Sequence, residues 1–357
     1  MKRTTATALV SALAVSSLAA CGGSDDTDGG KPSKTVTLVS HDSFAASKDV
    51  LKEFTRESGY EVKVLRGGDA GTTVNQAILS KGNPQGDVLF GIDNTMLSKA
   101  LDADLFTPHE AEGLSQVPEG VQLDADRNRV TPVDTGDVCV NYDRAYFAEK
   151  KLDPPQTLDD LADPRYKDLL VVQNAATSSP GLAFLLATVG AYGEDGWADY
   201  WKKLKANGVE MVDGWEQAYN DHFTGSASGR KKGDRPLVVS YASSPPVEVV
   251  YGDDQEPEQA PTGVSTGTCF RQVEFAGLLD GAKNPEGGKA LLDFLLSRAF
   301  QEDMPLNMFV NPVRDDAELP EVFTRYGERI EDPHSVSPAK IADNREQWVK
   351  QWSSLLK

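Results

Sequence analysis

Along the chain, short apolar runs alternate with stretches whose apolar residues recur at helical spacing. Residues 36–39 (VTLV) form the first such run and predict a buried strand. Residues 48–58 place Val50, Leu51 and Phe54 on one face of a helix. Residues 60–65 (YEVKVL) alternate as a strand, residues 72–80 read as a helix, and residues 87–90 (DVLF) as another strand. A second set begins near residue 138, with strand-like runs at 169–173 (LLVVQ), 209–212 and 237–241 (LVVSY) and helices at 182–189 and 197–207. Helices are predicted again over 287–296, 300–304 and 338–357, the last carrying Trp348 and Trp352, while residues 307–312 read as irregular. Strands alternating with helices predict an α/β fold. In open α/β sheets ligands sit at the loops that follow the strands, which singles out Asp42, Asp69 and Asp93. Thr177 and Ser178 precede an apolar helix in the run TSSPG, a helix-start pattern whose hydroxyls and free N–H groups suit an anion or an acceptor.

The N-terminus differs in kind. Lys2 and Arg3 precede an apolar or small stretch at residues 8–20, too short to span a bilayer, which ends in Leu18-Ala19-Ala20-Cys21. That ending resembles the bacterial lipobox and implies acylation of Cys21 after cleavage before it. Residues 22–34 (GGSDDTDGGKPSK) have nothing to pack and read as a flexible tether. The expectation is a lipoprotein signal peptide at 1–20, a lipidated tether at 21–34, and a protein held on the outer face of the cell membrane.

Removing residues 1–20 from 357 leaves about 337, more than one compact core accommodates, so two lobes are expected. Hydrophobic residues make up 39%, enough for globular folding. The net charge of -19 becomes about -21 once Lys2 and Arg3 are gone. Such a surface argues against nucleic acid and mildly favours a neutral or cationic ligand. With Cys21 assigned to lipid, Cys139 and Cys269 remain, both in β-like runs. Outside the cell they read as a disulfide or as two buried thiols.

The chain has no nucleotide-binding glycine loop, no Gly-x-Ser-x-Gly elbow and no His-Glu-x-x-His. Its four histidines (41, 109, 222 and 334) are scattered, and no Cys/His pair has metal-ligand spacing. Neither a cofactor nor a metal is expected. What stands out instead is a set of aromatic, hydroxyl and carboxylate residues on strand-to-helix loops.

These residues fall in motifs that resemble the thiamine-binding proteins of ABC importers, within the type II solute-binding superfamily. The motifs are HDSF (41–44), GDVLFGIDN (86–94), PVDTG (132–136) with VNYD (140–143), PPQTLDDL (154–161), TSSPGL (177–182), GWEQAY (214–219), VSYASSP (239–245), QVE (272–274) and FVNPV (309–313). The resemblance implies two lobes, each a mixed sheet flanked by helices, closing on the ligand and joined by two crossing strands. Lobe 1 would comprise 35–137 and 270–357, and lobe 2 would comprise 138–269. The crossings would fall near 137–142 and 268–274, so a Cys139–Cys269 bond would staple the hinge.

The implied ligand is thiamine or a thiamine phosphate. The implied partners are an importer's permease and ATPase subunits, with the binding protein a monomer. A thiazolium cation gains about 0.5–2 kcal/mol over a desolvated aromatic face, and a flat heterocycle stacks on Trp or Tyr. Carried over residue by residue, Trp215 and Tyr241 match pocket aromatics, Phe309 stands where the family usually has Trp, and Tyr219 is a further aromatic candidate. Thr177 and Ser178 match hydroxyls at the hydroxyethyl or phosphate end. Asp42, Ser43, Asp69 and Asp93 match the first lobe's contribution. Departures are His41 and Val247 in place of family tyrosines, and Asn174-Ala175-Ala176 in place of Asp-Pro-Arg. The competing readings are a receptor for another organic cation such as a polyamine, an enzyme on the scaffold shared with porphyrin-building deaminases, and an adhesive surface protein.

Overall fold

A computed structural model describes residues 33–227, 233–254 and 256–357. The expected leader, Cys21 and the expected tether as far as residue 32 lie outside the described residues.

The short apolar runs form parallel strands covered on both faces, which is why they read as continuous rather than alternating. β1 (Thr35–Ser40), β2 (Glu61–Arg66) and β3 (Val88–Asp93) form one parallel trio, with β1 in the middle and β3 buried throughout. β6 (Leu170–Gln173), β7 (Glu210–Val212) and β8 (Leu237–Tyr241) form another, with β6 in the middle. Between the trios run two long antiparallel strands, β5 (Thr131–Asp143) and β9 (Thr262–Leu279). The order across the sheet is β2-β1-β3-β9-β5-β8-β6-β7. The two-residue strand β4 (Phe106–Thr107) pairs with β9, and β10 (Asn311–Pro312) pairs with β5.

The helices begin and end where local chemistry directs. Ser47 caps α1 (Lys48–Ser58) by accepting the Val50 N–H, and left-handed Gly59 ends it. Asp69 caps α2 (Ala70–Leu79). Short α3 (Leu97–Asp102), α4 (Arg144–Lys150) and α5 (Leu158–Leu161) lead to α6 (Ser179–Ala206), which is broken at Gly193 (φ 69°, ψ 179°). The helices predicted at 182–189 and 197–207 are the two arms of that element. After α7 (Trp215–Gln217), α8 (Pro245–Val250) and α9 (Pro285–Leu295), α10 (Arg298–Met308) extends beyond the predicted 300–304. It therefore takes up part of the stretch read as irregular. α11 (Glu321–Tyr326) and α12 (Pro338–Leu356) follow. Trp352 of α12 meets Trp201 of α6 edge to face at 5.3 Å, tying the C-terminal helix to the core. Among the described residues, no helix is long and apolar enough to cross a membrane.

Cys139 of β5 and Cys269 of β9 are joined by a disulfide, with Cα atoms 4.2 Å apart. They sit where the ribbon changes register, between the pairs Val138–Phe270 and Val140–Ser265. Thr268 Oγ1 accepts the Val140 N–H at 2.8 Å, so the looped-out turn is also held by a hydrogen bond.

Candidate functional site

The parallel trios of both ends aim their C-terminal loops at one cleft. His41 and Ser43 come from the loop after β1, and Asp69 from the start of α2. Ser179 and Pro180 open α6, Trp215 opens α7, Tyr241 ends β8 and Ser244 follows it. Glu274 projects from β9, and Met308, Phe309 and Val310 close the rim.

Trp215 is held as a fixed platform. Its indole Nε1–H donates to Ser240 Oγ at 2.9 Å, and its ring stacks on Tyr219 at 4.9 Å and 17°. Tyr219 in turn donates its hydroxyl to Glu248 Oε1 at 2.5 Å. Burial pushes the Glu248 carboxyl up to about 7. Tyr219 therefore supports the cleft from behind: it is buried and absent from the lining. Tyr241 lies over Gly136, where a Cβ would meet its ring at 2.8 Å. Burial, then the carboxylates of Glu274, Asp69, Asp93 and Asp134, raise its hydroxyl well above the usual phenol range, so it stays a neutral donor. Phe309 adopts the left-handed region (φ 56°, ψ 39°) at the end of α10 and stacks on Phe323. Its carbonyl accepts the Ser243 hydroxyl at 2.6 Å, tying the rim to the loop after β8.

Asp69 has a different task. Its Oδ2 accepts the Trp215 N–H at 2.9 Å, and its Oδ1 accepts those of Ala70 at 2.6 Å and Ser179 at 3.3 Å. Burial raises its pKa, and these donors work in the opposite direction. Nearby, the Thr72 N–H donates to the Thr177 carbonyl at 3.1 Å. That approach needs a glycine at 71, where a Cβ would stand 2.7 Å from the same oxygen. The loops of the two trios thus meet directly.

Asp93 is fully buried beneath the cleft. Its Oδ1 accepts from the N–H and hydroxyl of Thr95 and from the Met96 N–H, and its Oδ2 accepts from Ser179 Oγ and Gln272 Nε2. Asp42 and Thr177 line an adjoining groove with Asp213 and Glu216, and Thr177 donates to the Asp213 carbonyl at 2.7 Å. Ser178 stands buried at the cap position of α6 without a side-chain capping bond. The cleft therefore brings Ser43, Asp69, Trp215, Tyr241 and Phe309 together, and sets Asp42, Asp93, Thr177, Ser178 and Tyr219 beside or behind it.

Glu274 and His41 are lining residues that were absent from the sequence-based site set. His41 Nε2 lies 3.8 Å from Glu274 Oε1. Burial, with Arg66 as a lesser cause, lowers the imidazole to about 4, so it is neutral at physiological pH. The available signal was an acidic residue inside the apolar run 273–279, where burying a charge is costly unless it is paired. The cleft combines aromatic faces, hydroxyl donors and an excess of carboxylates, a set that suits a flat cation. Away from it, Glu210, His222 and Asp234 bring three potential metal-ligand atoms within 4.8 Å of one another. Arg235 already pairs with Glu210 there at 2.6 Å.

Comparison with known proteins decides the family. Residues 83–244 match the family described as bacterial extracellular solute-binding protein. The thiamine-binding periplasmic protein of Salmonella typhimurium is 30% identical over 325 residues, covering 89% of this chain and 92% of that protein. The chain belongs to the family of thiamine-binding periplasmic proteins. The Escherichia coli member is likewise 30% identical, with 89% and 92% covered. A solved structure titled periplasmic thiamin binding protein matches with a TM-score of 0.78 at 26% identity, covering 90% of this chain and 96% of that one. The fold is accordingly the two-lobe type II periplasmic-binding-protein fold, as the sequence led us to expect, and the relatives are binding proteins rather than enzymes.

Proposed function

We propose that this chain is an exported solute-binding lipoprotein that captures thiamine, or a thiamine phosphate, and delivers it to the permease and ATPase of an ABC importer. The observation that carries this reading is the convergence of Trp215, Tyr241 and Glu274 on one cleft, in a chain of this family. The aromatic faces would take the thiazolium and aminopyrimidine rings, and the carboxylates would balance the cation. The hydroxyethyl or phosphate end would lie toward Thr177 and Ser178. The protein binds and releases; it does not catalyse.

Residues 35–137 with 270–357 form one lobe in this reading, and 138–269 the other. The sheet order supports that division, since a parallel trio at each end leaves β5 and β9 as the connection. Closure would be a hinge motion about that ribbon, stapled by Cys139–Cys269. Acylated Cys21 would hold a monomer on the outer face of the membrane, with residues 22–34 as the tether.

Titration of the purified protein with thiamine, followed by tryptophan fluorescence, tests the assignment. Quenching at micromolar thiamine is expected from Trp215. No change would sink the assignment and favour another organic cation such as a polyamine, which the acidic cleft also suits. Mass spectrometry of the ligand co-purified with the native protein separates thiamine from its phosphates.

A further inference from the structure

Asp134 of β5 and Glu274 of β9 are direct cross-strand partners in the antiparallel ribbon. Such partners carry their side chains about 5 Å apart at Cβ. Asp134 is 1% exposed, Glu274 is 9% exposed, and only Glu274 reaches the cleft surface. Among the described residues, neither is paired with a Lys or Arg, and Asp134 Oδ2 meets no N–H or O–H donor. Two carboxylates in that arrangement are stable when a proton lies between them, because like charges this close do not both ionise readily.

The groups facing the pair deepen this need. Asp93 lies beside it on β3, Asp69 at the start of α2, and the neutral phenol of Tyr241 at the end of β8. His41, after β1, is neutral and has no proton to give at pH 7. The neighbouring cations act elsewhere: Arg66 on His41 and Arg345 of α12 on Asp93. Burial, then the neighbouring carboxylates, raises Glu274 well above its ordinary range, and burial takes Asp134 to about 7.

We propose that the Asp134–Glu274 pair is the counter-ion of the cationic ligand and exchanges its shared proton for that cation on binding. This rests on the thiamine reading. The empty cleft holds one proton and one negative charge on the pair. The incoming thiazolium, charged at every pH, stabilises both carboxylates in their ionised form, and the displaced proton leaves to the buffer. Binding therefore favours a positive charge and strengthens as pH rises.

Calorimetric titration of the whole protein with thiamine at pH 7, in PIPES and in Tris, tests this. The binding heats should differ between the two buffers by an amount that corresponds to between about half and one proton released per thiamine. Affinity should rise up to tenfold from pH 6 to pH 7. Glu274→Gln should weaken binding about tenfold or more and abolish the release, while His41→Gln should retain it. Equal heats in both buffers with intact binding would overturn the proposal and leave the thiamine reading standing. Absence of thiamine binding would remove that reading and this proposal with it. Release lost in His41→Gln but kept in Glu274→Gln would assign the proton to His41 and overturn the proposal. Should Glu274→Gln fail to fold by circular dichroism, Asp134→Asn and the wild-type buffer comparison decide the matter.

Discussion

The carboxylate of Asp69, at the start of α2, accepts the backbone N–H of Trp215 at 2.9 Å, so an acid from one parallel trio grips the aromatic platform of the other. The Ser179 N–H donates to the second oxygen. Such charge-assisted bonds are worth about 1.5–3 kcal/mol each. Asp69→Asn should replace one acceptor with an amide that faces an N–H, leaving capping of α2 to the other oxygen. Thiamine affinity should fall ten- to a hundredfold by calorimetry, with an unchanged circular-dichroism spectrum. Wild-type affinity in this variant would show that the contact does not contribute to holding the cleft.

How much of this could be read in the chain depends on the covering of each strand. β1, β3, β6 and β8 are buried on both faces, so VTLV, DVLF, LLVVQ and LVVSY announced themselves as apolar runs. β5 and β9 were legible only in part. Asp134 and Asp137 interrupt β5, and Gln272 and Glu274 interrupt β9: Glu274 lines the cleft, Asp134 lies opposite it, Gln272 bonds Asp93, and Asp137 pairs with Arg271. These buried or paired polar residues break the pattern that would have revealed the strands. Trp215 and Tyr241 were accessible through the resemblance, because they stand in the motifs GWEQAY and VSYASSP. Glu274, although it stands in the motif QVE, was given no role, since its meaning depends on Asp134, some 140 residues earlier in the chain, lying opposite it.

Removing the disulfide should be felt strongly. Cys139 and Cys269 are 130 residues apart, and a loop of that size corresponds to about 4–5 kcal/mol in the chain-entropy account. The Cys139→Ser, Cys269→Ser double variant should lose about 5–15 °C in melting temperature. Reductant should lower the wild-type value during melting and leave the double variant where it is. Equal melting of both forms under oxidising conditions would contradict a bonded pair.

Glu248 gives a pH signature that is separate from the ligand. Its carboxyl stands near 7 in the folded protein against 4.5 as the reference value, with burial the leading cause. The folded state therefore holds a proton that the unfolded chain has given up. The sign follows: this contribution is fully present below about 4.5 and is lost as pH rises through about 7. In Glu248→Gln the amide imitates the protonated acid, its carbonyl accepting the Ala227 N–H and its NH2 donating to the Tyr219 oxygen. Differential scanning fluorimetry should find the variant equal to wild type near pH 5 and more stable near pH 8. Parallel pH profiles would refute the assignment.

Phe309 separates backbone from side chain. It holds φ 56° at the end of α10, a region that costs a residue with a Cβ about 1–2 kcal/mol and costs glycine little. Its ring lines the cleft and stacks on Phe323. Phe309→Ala and Phe309→Gly both remove the ring, so both should lose the same share of thiamine affinity, about tenfold for one stacking face. They should differ in stability, and in the unusual direction. Glycine ordinarily destabilises relative to alanine through the freedom of the unfolded chain. Here the left-handed backbone outweighs that, and Phe309→Gly should melt about 2–4 °C above Phe309→Ala. An alanine variant as stable as the glycine variant would mean that the rim relaxes out of the left-handed region once the ring is gone. In that case the Ser243 hydroxyl would lose its bond to the carbonyl of residue 309, and Ser243→Ala would cost stability in wild type but not in Phe309→Ala.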